Sequence, residues 1–473
     1  MKALIDVVPT AEQLALFSRV SPGVEVIRGA AGSGKTTTAL LKLRSCVAFY
    51  LNRARRQVNP KPVKVLVLTY NRTLRGYISE LAEQQLPANG ISLEISTFNK
   101  WARRLTDADS VLNFEETDQL LGANIAKTKL DPAFGLEESL YVLGRFATGQ
   151  LDDYLAARRE GRGSTPRMER SVRQVLLDKV IRPYIDYKEA RGLVDWNDLA
   201  CTIASRDYEE CDVVVVDETQ DFSANEIRAL LRQCSPEASV TFVLDSAQRI
   251  YTRNFNWGEV GVTLRSEKSH RLQTNYRNTH QIARFASAML DGLAIDDNGT
   301  MPNFNTARGT GPKPIVLKGE YVDQVSAAID FLGEIDLEKS SVAFLHPKGW
   351  FRGLMPALRQ AGYPFVELTG NSEWPQGREN IALCTIHSSK GLEFDHVIMI
   401  GLDGSVLDVD APNEEEEGEE GGEGGYEPSA RLRRLIAMGI GRARESVMIG
   451  FKPSDAPDIM RFVDDELYEG RDV

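Results

Sequence analysis

The chain has 473 residues, 42% of them hydrophobic, with a net charge of −12 and five cysteines. That length exceeds one ordinary α/β domain and suits two to four. The absence of a run of about 18 apolar residues argues against a membrane span, and the early charges of Met1-Lys2-Ala3-Leu4-Ile5-Asp6 are unlike a secretory leader.

The first predicted strands are Val24–Arg28, Lys64–Thr69 and Leu93–Ser96. Between Arg103 and Leu199 the strand signal stops, and stretches such as Met168–Lys188 carry helical spacing. Strands resume at Asp212–Asp217 and Val240–Asp245. A second series follows at Pro314–Leu317, Val342–Leu345, Phe365–Leu368, Ala382–Ile386, His396–Ile400 and Ser446–Ile449. Near-continuous Val, Ile and Leu runs are what parallel strands buried on both faces require. The fold class predicted is α/β, with a helical insertion in the first of two units. Ten acidic residues fall between Ser405 and Pro428, so the rest of the chain is close to neutral. That Glu/Gly-rich stretch cannot bury enough apolar surface to fold, and an acidic disordered loop is expected at 406–428. The cysteines, Cys46, Cys201, Cys211, Cys234 and Cys384, form no C-x-x-C pair. They suggest a reducing, cytoplasmic setting rather than a zinc site.

Gly29-Ala30-Ala31-Gly32-Ser33-Gly34-Lys35-Thr36 fits the phosphate-binding loop G-x-x-x-x-G-K-[ST], and it lies between a strand and a helical pattern starting at Thr37. Glycines let backbone N–H groups turn toward phosphate oxygens, and a helix N-terminus adds partial positive charge. Lys35 is expected to neutralise the β- and γ-phosphates of ATP, and the Thr36 hydroxyl to ligate Mg²⁺. The run Val213–Val216 ends in Asp217 and Glu218. At the carboxyl end of a strand, Asp217 can hold Mg²⁺ and Glu218 can polarise the attacking water.

Asp217-Glu218-Thr219-Gln220-Asp221 resembles the D-E-x-Q-D signature of the UvrD/Rep-like helicases of superfamily one. Other segments resemble that family's motifs in the family's order. Pro9–Gln13 is similar to the Q motif, Val67–Arg72 to Ia, Ser96–Trp101 to Ib and Val194–Leu199 to the segment before motif II. Leu244–Tyr251 is similar to motif III, Asn275–Arg277 to IV, Thr385–Phe394 to V and Gly441–Arg444 to VI.

The resemblance implies two RecA-like domains with ATP between them. The expected ranges are 1–104 and 200–264 for domain 1A, 105–199 for a helical 1B insertion, and 265–473 for domain 2A. It implies that Gln13 reads adenine, that Tyr276 stacks on it and that Glu393 holds the ribose. Thr37 stands where the family usually has Arg. Gln248 would sense the γ-phosphate, and Arg277 and Arg442 would act as arginine fingers, a role that suits a planar, permanently charged guanidinium. It further implies a single-strand groove lined by Tyr70, Asn71, Thr97, Phe98, Trp101, Tyr251, Trp257 and His387. Aromatic faces there would stack on bases without sequence preference. Arg72, Lys100, Arg103, Arg104 and Arg253 are candidate phosphate contacts.

Family members usually carry a large helical 2B domain between motifs IV and V. Here the predicted strands and their helices use nearly all the residues between Arg277 and His387, so domain 2B is expected to be absent or vestigial. The resemblance implies an ATP-dependent translocase on single-stranded DNA, or on DNA with single-stranded ends. A 3′→5′ polarity follows from the Lys390-Gly391-Leu392-Glu393 form of motif V. The alternative is a regulatory nucleoside triphosphatase subunit that senses DNA or nucleotide state and controls a partner nuclease; the chain resembles the compact UvrD-like chains that occur in anti-phage systems, the helicase-like subunit of Gabija among them.

Overall fold

In the computed structural model, the described residues are 11–29, 33–69, 75, 79, 86–87, 89–157, 168–245, 255–272, 277–293, 309–368, 379–389, 392–407 and 428–473. The first strands are β1 (Gly23–Gly29), β2 (Val63–Thr69), β3 (Ile91–Thr97), β4 (Cys211–Val216), β5 (Cys234–Asp245) and β6 (Ser269–Leu272). They form one sheet in the order β3-β2-β4-β5-β1-β6, with every pairing parallel. Alternate residues serve opposite faces. Val65, Val67, Val213 and Val215 pack toward the helix Lys35–Ala54. Leu66, Leu68, Val214 and Val216 pack toward Phe98, Trp101 and Leu199. Both faces are dry, which is why the strands read as unbroken apolar runs.

The insertion has a core of its own, with Leu121, Ile125, Val142, Leu176, Val180 and Ile181 all buried. Its helix Phe114–Ile125 starts with a capping box from Asn113, and Asp131 caps Pro132–Arg145. A longer helix runs from Arg170 through one π turn at Leu177–Ile181 to Glu189. Buried polar groups tie it to the first domain. Lys188 pairs with Asp195 at 2.6 Å and also with Asp198, and the Tyr184 hydroxyl donates to Asp195 at 2.6 Å.

Three expected boundaries move. The helices Phe98–Thr106 and Trp196–Ser205 belong to the first domain's core, so the insertion is narrower than 105–199 at both ends. Ser269–Leu272 pairs with β1, so the first domain continues to 272 rather than stopping at 264.

The second sheet contains β7 (Ile315–Lys318), β8 (Val342–His346), β9 (Phe365–Leu368), β10 (Ile381–Thr385), β11 (Phe394–Met399), β12 (Ala443–Phe451) and β13 (Glu469–Asp472). Their order is β13-β7-β12-β11-β8-β10-β9, again wholly parallel. Between Arg277 and His387 the described elements are β7 to β10 and the helices His280–Ala288, Tyr321–Glu334 and Leu354–Gln360. Among the described residues that interval holds no further helical domain. No helix there is long and apolar enough to cross a membrane. The five cysteines form no disulfide. Most of the acidic stretch at 406–428 lies outside the described residues.

Candidate nucleotide site and nucleic-acid interface

Strand β1 delivers the phosphate loop from the interior of the sheet, with β5 and then β4 beside it. Gly29 is needed there because an added Cβ would fall 2.2 Å from the Ser33 hydroxyl. Gly34 sits at φ 73°, and a Cβ on it would meet the Gln13 amide at 2.5 Å. Lys35 opens the helix and is nearly buried.

Opposite the loop, the Thr36 hydroxyl donates to Asp217 Oδ2 at 2.9 Å. Burial pushes the Asp217 carboxyl up to about 7, the neighbouring charge of Glu218 adds to this, and Thr36 and Lys35 oppose it. Glu218 adopts the left-handed region at φ 52°, and its backbone N–H donates to Asp217 Oδ1 at 3.0 Å. The Gln220 side chain donates to the Glu218 carboxylate and fixes its direction.

Two buried carboxylates, a hydroxyl and a lysine at one strand end are hard oxygen ligands and a counter-charge suited to Mg²⁺ and phosphate. The Ser33 hydroxyl is buried and has no hydrogen-bond partner among the described residues. No group of three or more His, Cys, Asp or Glu that could by itself hold a metal ion occurs among the described residues.

Gln13, expected to read adenine, is buried and donates its amide to Gly34 O at 3.3 Å, bracing the loop. Ala30, Ala31, Gly32, Gln248 and Tyr276 lie outside the described residues. Thr37 is half-buried in the first turn of the helix.

The second domain gathers three of the expected residues. Arg277 donates to Gly441 O at 3.1 Å and forms an ion pair with Glu393. Asn278 donates to Gly441 O at 3.3 Å and also to Ala443 O, so it holds the turn that carries Arg442. Burial raises the Glu393 carboxyl, but Arg277, Arg444 and Arg442 outweigh it and hold the group below the usual range. Glu393 precedes β11 and Arg442 precedes β12, so this cluster lies at the amino edge of the second sheet. Sequence reasoning missed Asn278 and the bracing role of Gln220. Asn278 directly follows Arg277 and Gln220 lies two residues after Glu218, but their partners appear only in the fold.

The expected single-strand groove fares differently. Trp101 is 0% exposed and donates its indole N–H to Glu209 at 2.8 Å. Phe98 is buried against Trp101 and Phe222. Both are core residues, which corrects their expected role as stacking surfaces. Trp257 is half-buried against Phe242 and Phe255. Thr97 caps the helix Phe98–Thr106. Arg104 pairs with Glu94 and Glu209, and Arg103 donates to Ala108 O and Asp109 O, so neither is a spare phosphate ligand. Lys100 is exposed. His387 is half-buried in the turn after β10, where Thr385 Oγ1 accepts from Ser388 N at 3.0 Å. Tyr70, Asn71, Arg72, Tyr251 and Arg253 lie outside the described residues.

Two parallel sheets, one ending in a phosphate loop with paired carboxylates and the other carrying clustered arginines, define a P-loop protein of two RecA-like domains. Residues 12–254 match the AAA domain family, and residues 366–450 match the UvrD-like helicase C-terminal domain. The chain belongs to the UvrD-like helicases. It is also similar to a solved C-terminal domain of a possible DNA helicase from Lactobacillus plantarum WCFS1. That match has 18% identity and a TM-score of 0.30, covering 42% of this chain and 99% of that one. No curated protein matches the sequence.

Proposed function

We propose that the chain is an ATP-driven motor that moves 3′→5′ along single-stranded DNA, hydrolysing ATP between its two RecA-like domains. The observation that carries this reading is the 2.9 Å bond from Thr36 to Asp217, with Glu218 held beside it by Gln220. That arrangement has the parts a phosphoryl-transfer site needs on one lobe.

Lys35 and the loop backbone bind the phosphates. Thr36 and Asp217 would hold Mg²⁺, which would supply charge neutralisation at the phosphate oxygens. Glu218 orients the attacking water and accepts its proton at the carboxylate. Arg277 and Arg442 approach the γ-phosphate from the second domain and stabilise the charge that develops in the transition state. Once the γ-phosphate is gone, the two domains lose their common ligand and the cleft relaxes, which moves the lobes along the strand. The family membership and the K-G-L-E form of motif V support the DNA substrate and the polarity.

The test is the ATPase rate with and without single-stranded DNA, for the wild type and Glu218→Gln. Wild type is expected to be strongly stimulated by DNA. The variant should lose about 10²-fold or more. A wild-type rate indifferent to DNA would favour the alternative, a regulatory nucleoside triphosphatase acting on a partner nuclease.

A further inference from the structure

The nucleotide-facing cluster of the second domain occupies the amino edge of its sheet, which leaves the carboxyl edge to be explained. In open parallel sheets the carboxyl edge is where ligands bind. Residues at the ends of four strands come together there. Tyr321 follows β7, Trp350 lies in the turn after β8, Thr385 ends β10 and Gly401 follows β11.

Trp350 is 50% exposed, one of the largest apolar side chains left to solvent among the described residues. Its ring stacks on Tyr321, with planes 14° apart and centroids 6.4 Å apart. Tyr321 is wedged in turn by two glycines, since a Cβ on Gly353 or Gly401 would meet its ring at 2.8 or 3.0 Å. The turn is tied from beneath. Buried His346 accepts at Nδ1 from the backbone N–H groups of Lys348 at 3.1 Å and Trp350 at 3.2 Å. A Cβ on Gly349 would lie 3.1 Å from Thr385, so the turn abuts the start of the motif V turn that carries His387.

The exposed indole is therefore rigidly mounted, unlike a loosely hung surface tryptophan. Lys348 and Arg352 flank it and are exposed. Glu320, next to Tyr321 in the chain, is paired with Lys452 at 2.8 Å.

We infer that Trp350, backed by Tyr321, is a stacking platform for an unpaired nucleobase, with Lys348 and Arg352 gripping the adjoining phosphates. The inference rests on the proposed single-strand substrate and adds a second-domain contact to it. A pre-ordered aromatic face flanked by cations suits a single strand, because any base offers a π-face and the backbone supplies regularly spaced negative charge. A protein partner would have no comparable use for the flanking cations.

The test is binding of a fluorescently labelled oligothymidylate to the full chain across a salt series. Trp350→Ala should weaken binding about 5- to 100-fold, the range expected for one lost stacked base. Its salt dependence should match the wild type. Lys348→Ala combined with Arg352→Ala should instead flatten the salt dependence by about two contacts' worth. Trp350→Phe should retain most of the affinity but lose part of the tryptophan quenching that the oligonucleotide produces. That arm keeps the test valid should the alanine variant fold poorly.

Affinity of Trp350→Ala within about twofold of wild type would overturn the platform while leaving the motor reading intact. A change in sedimentation without a change in affinity would also overturn it, by showing a self-association surface. Failure of the wild type itself to bind would overturn both.

Discussion

The two sheets are alike in architecture and opposite in use. Each is fully parallel, with both faces buried by helices. The first places its chemistry at the carboxyl edge, where Gly29, Asp217 and Glu218 end β1 and β4. The second gathers Arg277, Glu393 and Arg442 at the amino edge, just before β11 and β12. One nucleotide held between two such domains needs this asymmetry. In the proposed mechanism a loop of N–H groups and a lysine binds the phosphates from one side, and guanidinium groups complete the charge from the other. Neither fold nor strand composition distinguishes the halves, and the side chains at the edges do.

The sharpest way to break that comparison is to remove a guanidinium from the second domain while leaving the first intact. Arg277→Ala should lower kcat about 10³-fold or more, as loss of an arginine finger does, while nucleotide still binds the first domain. Single-turnover hydrolysis and a separate nucleotide-binding measurement check this. The ion pair from Arg277 to Glu393 adds a control. Glu393→Gln leaves the guanidinium in place, so its kcat should fall far less. Equal losses in the two variants would mean that Arg277 serves only to build the domain.

A second comparison concerns the aromatic residues. Trp101 was expected at a DNA surface and is a core residue, whereas Trp350, outside every motif, is exposed. Trp101→Ala should cost about 3–5 kcal/mol of first-domain stability, because it leaves a large cavity and strips Glu209 of its indole donor. Urea unfolding measured with the intact chain tests this. Unchanged stability together with weaker DNA binding would return Trp101 to the surface role.

The pattern of successes and failures in the sequence follows from what each signal encodes. Strands β2 and β4 are legible because both of their faces are buried, so nearly every residue is apolar, whereas the half-buried β3 shows through its alternation of apolar and polar residues. Strand β6 is not legible, because Ser269-His270-Arg271-Leu272 is short and pairs with β1 alone at the sheet edge. His270 instead pairs with buried Glu25, which Lys42 also holds at 2.8 Å. The phosphate loop and the Asp217–Glu218 pair were legible because backbone geometry and a strand end dictate their residue types. The roles of Phe98 and Trp101 were misjudged because position within a motif says nothing about which face of a helix is buried. Spacing held the missing signal, since Phe98, Trp101 and Ala102 share one helical face and are all buried. Long-range pairs such as Asn278 with Ala443, or Gln13 with Gly34, have no local signature at all.

The smallest predicted effect separates the two carboxyl edges by their response to acid. Burial pushes the His346 imidazole down to about 4, with the Lys348 charge helping and the Gly401 backbone opposing. The neutral ring is the form that accepts from Lys348 and Trp350, so the turn and the ring's protonation state are linked. The unfolded chain takes up this proton near pH 6.5, and the folded one does so only near pH 4. Between those values the unfolded state holds more protons, so stability rises with pH. His346 therefore contributes fully above pH 6.5, and its contribution falls away as the pH drops toward 4. By pH 5 the loss should be about 2 kcal/mol in the second domain. His346→Asn keeps an acceptor oxygen in place of Nδ1 but does not titrate, so its unfolding midpoint should lack that part of the slope between pH 6.5 and 5. Identical slopes in wild type and variant would show that the acid-sensitive proton sits elsewhere, and that the turn presenting Trp350 does not depend on a neutral imidazole.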